Sequence, residues 1–129
     1  MNADQPDKLE GTQLANFTPR DGVSELEKTD TVEGTGDEVQ PGAKVTVHYT
    51  GALVKTGVIF QSSHDFGQPI SFGLDQVIKG WTDGVPGMKV GGTRRLVIPA
   101  AQAYGASSPA ANIPPNSDLV FDIELIAIA

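Results

Sequence analysis

The chain has 129 residues, 39% of them hydrophobic and 19% charged, with a formal net charge of −7 and no cysteine. That length suits one hydrophobic core and not two. The missing thiols exclude disulfides, zinc fingers, iron–sulfur clusters and cysteine nucleophiles. No apolar run approaches the roughly 18 residues needed to cross a bilayer, and no basic segment with an apolar core follows Met1. No membrane association is therefore expected. A cytoplasmic setting is the favoured expectation, and a trimmed exported domain fits as well.

Residues 1–40 hold ten acidic and three basic residues, while residues 41–129 hold six of each. The first 22 residues carry few apolar side chains and no sustained period, so they are expected to form a flexible acidic leader before a domain at 23–129. The later basic residues are scattered apart from Arg94-Arg95, and no basic stripe for nucleic acid results. Fifteen glycines and nine prolines punctuate the chain and favour short strands over long helices.

In chain order, Leu26 lies in a weak strand. Val45, Val47 and Tyr49 alternate with Thr46, His48 and Thr50, and this period of two predicts a half-buried strand. Ile70 to Phe72 and Arg94 to Ile98 read as two more. Leu119, Phe121, Ile123 and Leu125 alternate with Val120, Asp122, Glu124 and Ile126 in the last strand. One segment changes period. Leu74, Val77, Ile78, Trp81 and Val85 share a helical face, with Asp75 as the expected N-cap and Gly84 as the stop. Gly80 inside that run costs about 1 kcal/mol of helix propensity, so packing must hold the helix. Strands with one short amphipathic helix on their apolar face give an α+β fold built on an antiparallel sheet.

Familiar catalytic patterns are absent or misplaced. Ser63-His64-Asp65 has the residue types of a hydrolase triad, but neighbours in sequence do not converge on one point, and a loop tip is the better reading. His48 and His64 lack metal-ligand spacing, so no metal is expected. No glycine-rich phosphate loop occurs, and no cofactor is expected. Asn16-Phe17-Thr18 matches a short glycosylation pattern that chance often produces. The aromatics carry more information. One tryptophan, two tyrosines and five phenylalanines would crowd a small core, and buried tyrosine hydroxyls need partners. They either fill the core or line an apolar cleft.

Six blocks then carry a family resemblance: Val47-His48-Tyr49-Thr50-Gly51, Phe60-Gln61-Ser62-Ser63, Val77-Ile78-Lys79-Gly80-Trp81, Ala103-Tyr104-Gly105, Ile113-Pro114-Pro115 and Leu119-Val120-Phe121-Asp122. Their order and spacing resemble the FKBP-type peptidyl-prolyl cis–trans isomerases, receptors of tacrolimus and rapamycin, over residues 23–129. The resemblance implies a twisted antiparallel sheet of about five strands curled around the short helix, with a pocket between them. It implies Trp81 as the pocket floor and Tyr49, Phe60, Val77, Ile78 and Phe121 as walls. The Ile78 N–H and Tyr104 hydroxyl would bind substrate carbonyls, and Ile113 would lie on a loop over the rim. Four positions depart from the family pattern. Gln61 stands where an aspartate is usual, Ile70 where a phenylalanine is common, and Pro109 and Asn112 replace residues that touch substrate. The implied partners are proline-containing peptides and unfolded protein clients, and tacrolimus or rapamycin as ligands. A monomer is the default, and a non-catalytic FKBP-like binding or chaperone module is the alternative to an enzyme.

Overall fold

The computed structural model describes residues 8–128. Strands β1 (Glu27–Val32), β2 (Lys44–Leu53), β3 (Ile59–Ser62) and β4 (Ile70–Gly73) precede one helix, α1 (Lys79–Gly84). Strands β5 (Thr93–Ile98) and β6 (Leu119–Ile128) complete a six-stranded antiparallel sheet. Its order is β1-β5-β6-β2-β3, with β4 also pairing β2. One edge of β2 is thus shared: Lys44 to Val47 face β4, and Thr50 to Ala52 face β3. The other edge pairs with β6 along its length, with a register shift between Thr46 and Val47.

The expected alternation sorts side chains between the two faces of the sheet, although Val120 on the far face is buried too. Val45, Val47 and Tyr49 on β2, and Leu119, Phe121, Ile123 and Leu125 on β6, point into one core. Strand β3 was not legible from period, because Ile-Phe-Gln-Ser is too short to alternate. The helix is shorter than its apolar spacing suggests. Asp75 does not cap it; Ile78 stands at the cap with no side-chain bond, and residues before it form a turn. That turn is tied to the helix by the Thr82 hydroxyl, which donates to the Leu74 carbonyl at 2.6 Å. A turn followed by a six-residue helix still presents Leu74, Trp81 and Val85 to the core, so the helical spacing survives without a full helix.

Gly80 is explained by the sheet beneath it. A Cβ there would meet Ile98 carbons at 2.5 and 2.6 Å, so glycine lets the helix lie directly on β5. The far end of α1 is closed by Arg94 of β5, whose guanidinium donates to the Gly84 carbonyl at 2.7 Å and pairs with Asp30 at 2.6 Å. That bond holds the Asp30 carboxyl below its usual pKa.

Residues 8–22 do not form the free leader expected from composition; residues 1–7 lie outside the described residues. The segment pairs with the outer edge of β3: Gly11 N–H donates to Ile59 O, Ile59 N–H to Thr12 O, and Leu14 N–H to Gly57 O, each at 2.8 Å. Leu14 is buried with Ala52, Val54, Ile59, Val97 and Val120 in a second apolar cluster. Arg95 donates to the Ala15 and Asn16 carbonyls and stands over the Phe17 ring. Composition missed this strap because its attachment runs mainly through backbone groups, with Leu14 and Phe17 as isolated apolar anchors, and neither leaves a period.

Candidate active site

A cavity of about 450 Å³ opens between α1 and the concave side of the sheet. Its floor is Trp81, 4% exposed, which β2, β4 and β6 surround with rings. The indole packs edge-on against Tyr49 (centroids 5.5 Å, 80°), Phe72 (5.3 Å, 78°) and Phe121 (5.4 Å, 89°). Phe60 meets Phe121 in the same way at 5.7 Å. Edge-to-face packing satisfies the ring quadrupoles while leaving a concavity that a flat stack would fill. Gly51 makes this arrangement possible, since a Cβ there would stand 2.6 Å from the Phe60 ring and 2.7 Å from Phe121. The indole Nε1 is the one buried side-chain polar atom without a hydrogen-bond partner among the described residues. The floor therefore offers rings and no strong acceptor.

Polar groups gather higher up. The Tyr49 hydroxyl donates to Gln61 Oε1 at 2.7 Å. Burial, and secondarily the nearby Tyr104, raise the Tyr49 pKa, and burial raises that of Tyr104. Both phenols therefore stay protonated through neutral pH. Gln61, Gln76 and Tyr104 are exposed at the mouth, and the remaining wall is Val77 and Ile78. The Ile78 carbonyl accepts the first helical N–H groups, from Trp81 at 2.9 Å and Thr82 at 3.2 Å. Its own N–H donates to no group among the described residues and is free for a ligand. Every cavity-lining residue is uncharged.

A family model described as FKBP-type peptidyl-prolyl cis-trans isomerase matches residues 36–126. The chain belongs to that family. It is 50% identical over 93 residues to the peptidyl-prolyl cis-trans isomerase FPR2 of Saccharomyces cerevisiae, covering 70% of this chain and 69% of the relative. It is 48% identical over 101 residues to the FK506-binding protein of Neisseria meningitidis serogroup B, covering 77% and 92%. The crystal structure of a peptidyl-prolyl cis-trans isomerase from Pseudomonas syringae superposes with a TM-score of 0.73 at 42% identity, covering 85% of this chain and 83% of that one. The protein is accordingly an isomerase of the FKBP type.

In this FKBP domain the residues singled out from sequence do not all meet. Tyr49, Phe60, Gln61, Val77, Ile78, Trp81, Tyr104 and Phe121 line the cavity. Ile70 and Ile113 do not. Ile70 packs half-buried against the core at the start of β4, and the ring facing the cavity from that strand is Phe72. Ile113 is 6% exposed and inserted in the core rather than held over the rim. Its loop is pinned to the wall by Asn112, whose Nδ2 donates to the Phe60 carbonyl at 2.9 Å. Phe72 and Gln76 are cavity residues that sequence reasoning missed. The signal for Phe72 was its place two residues after Ile70 on the same strand face.

Ser63, His64 and Asp65 form a short 3-10 turn, Ser63–Phe66, with no triad geometry. The Ser63 hydroxyl is buried, accepts the Tyr49 N–H at 2.8 Å and lies 2.8 Å from His48 Nδ1. His64 stacks on His48 at 4.2 Å, and Asp65 accepts the N–H groups of Leu9 and Glu10. No cluster of three metal-ligating side chains occurs among the described residues.

Proposed function

We propose that the ring-lined cavity itself performs the isomerisation, by sheltering a half-rotated X-Pro amide without covalent or proton-transfer chemistry. Rotation about a peptide bond costs about 18–20 kcal/mol because resonance is lost. Before proline both isomers are populated, and they exchange in tens to hundreds of seconds. The twisted amide has less charge separation than the planar one. A dry aromatic wall therefore favours it over the planar amide more than water does. Lowering the barrier by about 5–8 kcal/mol would accelerate exchange roughly 10⁴- to 10⁶-fold. The observation that carries this reading is the uncharged aromatic cavity, with the free Ile78 N–H beside its buried Trp81 floor.

In this scheme the proline ring rests on Trp81 between Tyr49, Phe60, Phe72 and Phe121. The Ile78 N–H and Tyr104 hydroxyl hold substrate carbonyls on one side of the bond while the other side turns. Asn112 keeps the Ile113 loop against the Phe60 strand. Substrates are exposed X-Pro segments of unfolded or partly folded clients. The same cavity takes tacrolimus or rapamycin, and the domain acts as a monomer. NMR exchange spectroscopy on a short X-Pro peptide with substoichiometric protein tests the scheme directly. Cis and trans peaks that exchange no faster than in buffer would overturn it and favour a holding module.

Two substitutions probe the polar groups. Tyr104→Phe removes one hydroxyl without disturbing the core and is expected to weaken ligand binding by about 0.5–1.5 kcal/mol. An unchanged dissociation constant would remove Tyr104 from the ligand contacts. Gln61→Asp replaces a neutral acceptor by a charged one, and charge-assisted bonds to hydroxyls are roughly twice as strong. It would anchor the Tyr49 ring more firmly and raise the isomerisation rate on a Leu-Pro peptide. A fall in rate would contradict the role given to the Tyr49–Gln61 bond.

A further inference from the structure

We propose that Gln61 is a specificity-determining residue that admits peptides with an acidic side chain immediately before the proline. This inference rests on the cavity being the isomerisation site. Burial sorts the cavity into two levels: Trp81, Tyr49, Phe60 and Phe121 are buried, whereas Gln61 and Gln76 are exposed at the mouth. A proline ring belongs on the aromatic floor, so the side chain preceding it falls at the mouth. The acceptor of Gln61 is already committed, because Oε1 takes the Tyr49 hydroxyl at 2.7 Å. What remains is the amide nitrogen, whose two N–H groups have no partner among the described residues. A donor is thus presented where a carboxylate side chain would arrive, and the lining carries no negative charge to repel it.

The neighbouring charges do not cancel that preference. Asp65, beyond β3, has its two oxygens occupied by the Leu9 and Glu10 N–H groups at 2.8 and 3.0 Å. Lys79, next to Ile78, is paired with Asp83 at 3.0 Å. The excess acidity of the chain lies in residues 1–40. Of these acids Glu10 stands close to the rim, 3.5 Å from the Asn112 Nδ2 that donates to the Phe60 carbonyl, and its exposed charge acts equally in every Gln61 variant. Of the uncharged donors at the mouth, Gln61, Gln76 and Tyr104, Gln61 is the one whose acceptor is already engaged, which leaves its amide N–H groups to tell an anionic side chain from a neutral one.

The test compares two peptides that differ by one isosteric group, Glu-Pro and Gln-Pro, with the full chain at pH 7.5 and about 0.15 M salt. The kcat/KM ratio of Glu-Pro to Gln-Pro is expected to be about one or greater in the wild type. In Gln61→Glu, which keeps the Tyr49 acceptor but places a carboxylate at the mouth, the ratio should fall about five- to tenfold. In Gln61→Leu, which removes the donor without adding charge, it should fall about two- to threefold. Because each value is a ratio within one variant, general losses of activity or of folded protein cancel. A ratio that is the same in all three proteins would overturn the proposal while leaving the isomerase site standing. Failure of the wild type to catalyse either peptide would overturn the site assignment, and the specificity with it.

Discussion

Trp81→Ala is expected to lower the unfolding free energy by about 3 kcal/mol and to reduce isomerase kcat/KM by at least about tenfold. Truncating a buried Trp or Phe typically costs 3–5 kcal/mol, and the cost rises with the cavity left behind. The lower end applies here because one side of the indole already borders an open cavity, so fewer contacts are lost. The catalytic loss has a different origin. Without the floor, Tyr49, Phe72 and Phe121 each lose an edge-to-face partner, and water reaches the position of the rotating amide. Urea unfolding measures the first effect and peptide exchange spectroscopy the second. A Trp81→Phe variant, which refills most of the space, should recover stability more fully than rate. Full activity in Trp81→Ala would show that the floor plays no part in the reaction.

Deleting residues 1–20 should destabilise the domain by about 2–4 kcal/mol. Composition alone favours no effect, so the two expectations are well separated. Burial of Leu14 contributes about 2 kcal/mol, and its removal leaves Ala52, Val54, Ile59, Val97 and Val120 open to water. The backbone bonds to Ile59 and Gly57 add to this, and the entropy of ordering the strap works against both. Arg95 would keep Asp122 but lose its two carbonyl acceptors and the Phe17 ring. The rate per folded molecule should change little, since no cavity-lining residue lies in the strap. An unmoved urea midpoint would show that the strap's contacts are worth no more than its ordering entropy.

The fold was legible wherever one residue type repeated with a regular period. Strands β2 and β6 announced themselves because each alternates in burial over its central part, Val45 to Tyr49 in β2 and Phe121 to Leu125 in β6. The helix face was legible too, although its length was not: turn and helix place residues inward at similar spacings, and only hydrogen bonds distinguish them. Eight of the nine site residues inferred from the blocks of family resemblance line the cavity, and Ile70, which lies in no block, does not. Ile113 was misplaced because a loop isoleucine reads the same whether it hangs over a rim or plugs a core. Strand β3 and the strap on its edge escaped notice because backbone bonding leaves no trace in residue type.

By itself the sequence determined the antiparallel sheet, the single amphipathic segment, the exclusion of thiol chemistry and the excess of rings over what a small core holds. Those are properties of composition and period, and they act locally. Only the tertiary structure decided that the rings meet edge-on around a hollow rather than interlocking. That outcome depends on Gly51 and Gly80, each of which admits a close approach from a residue distant in sequence. Likewise only the fold revealed that Gln61 has its oxygen engaged and its nitrogen free. Which partner a polar atom finds is settled by residues brought together from different strands, and no local pattern encodes it.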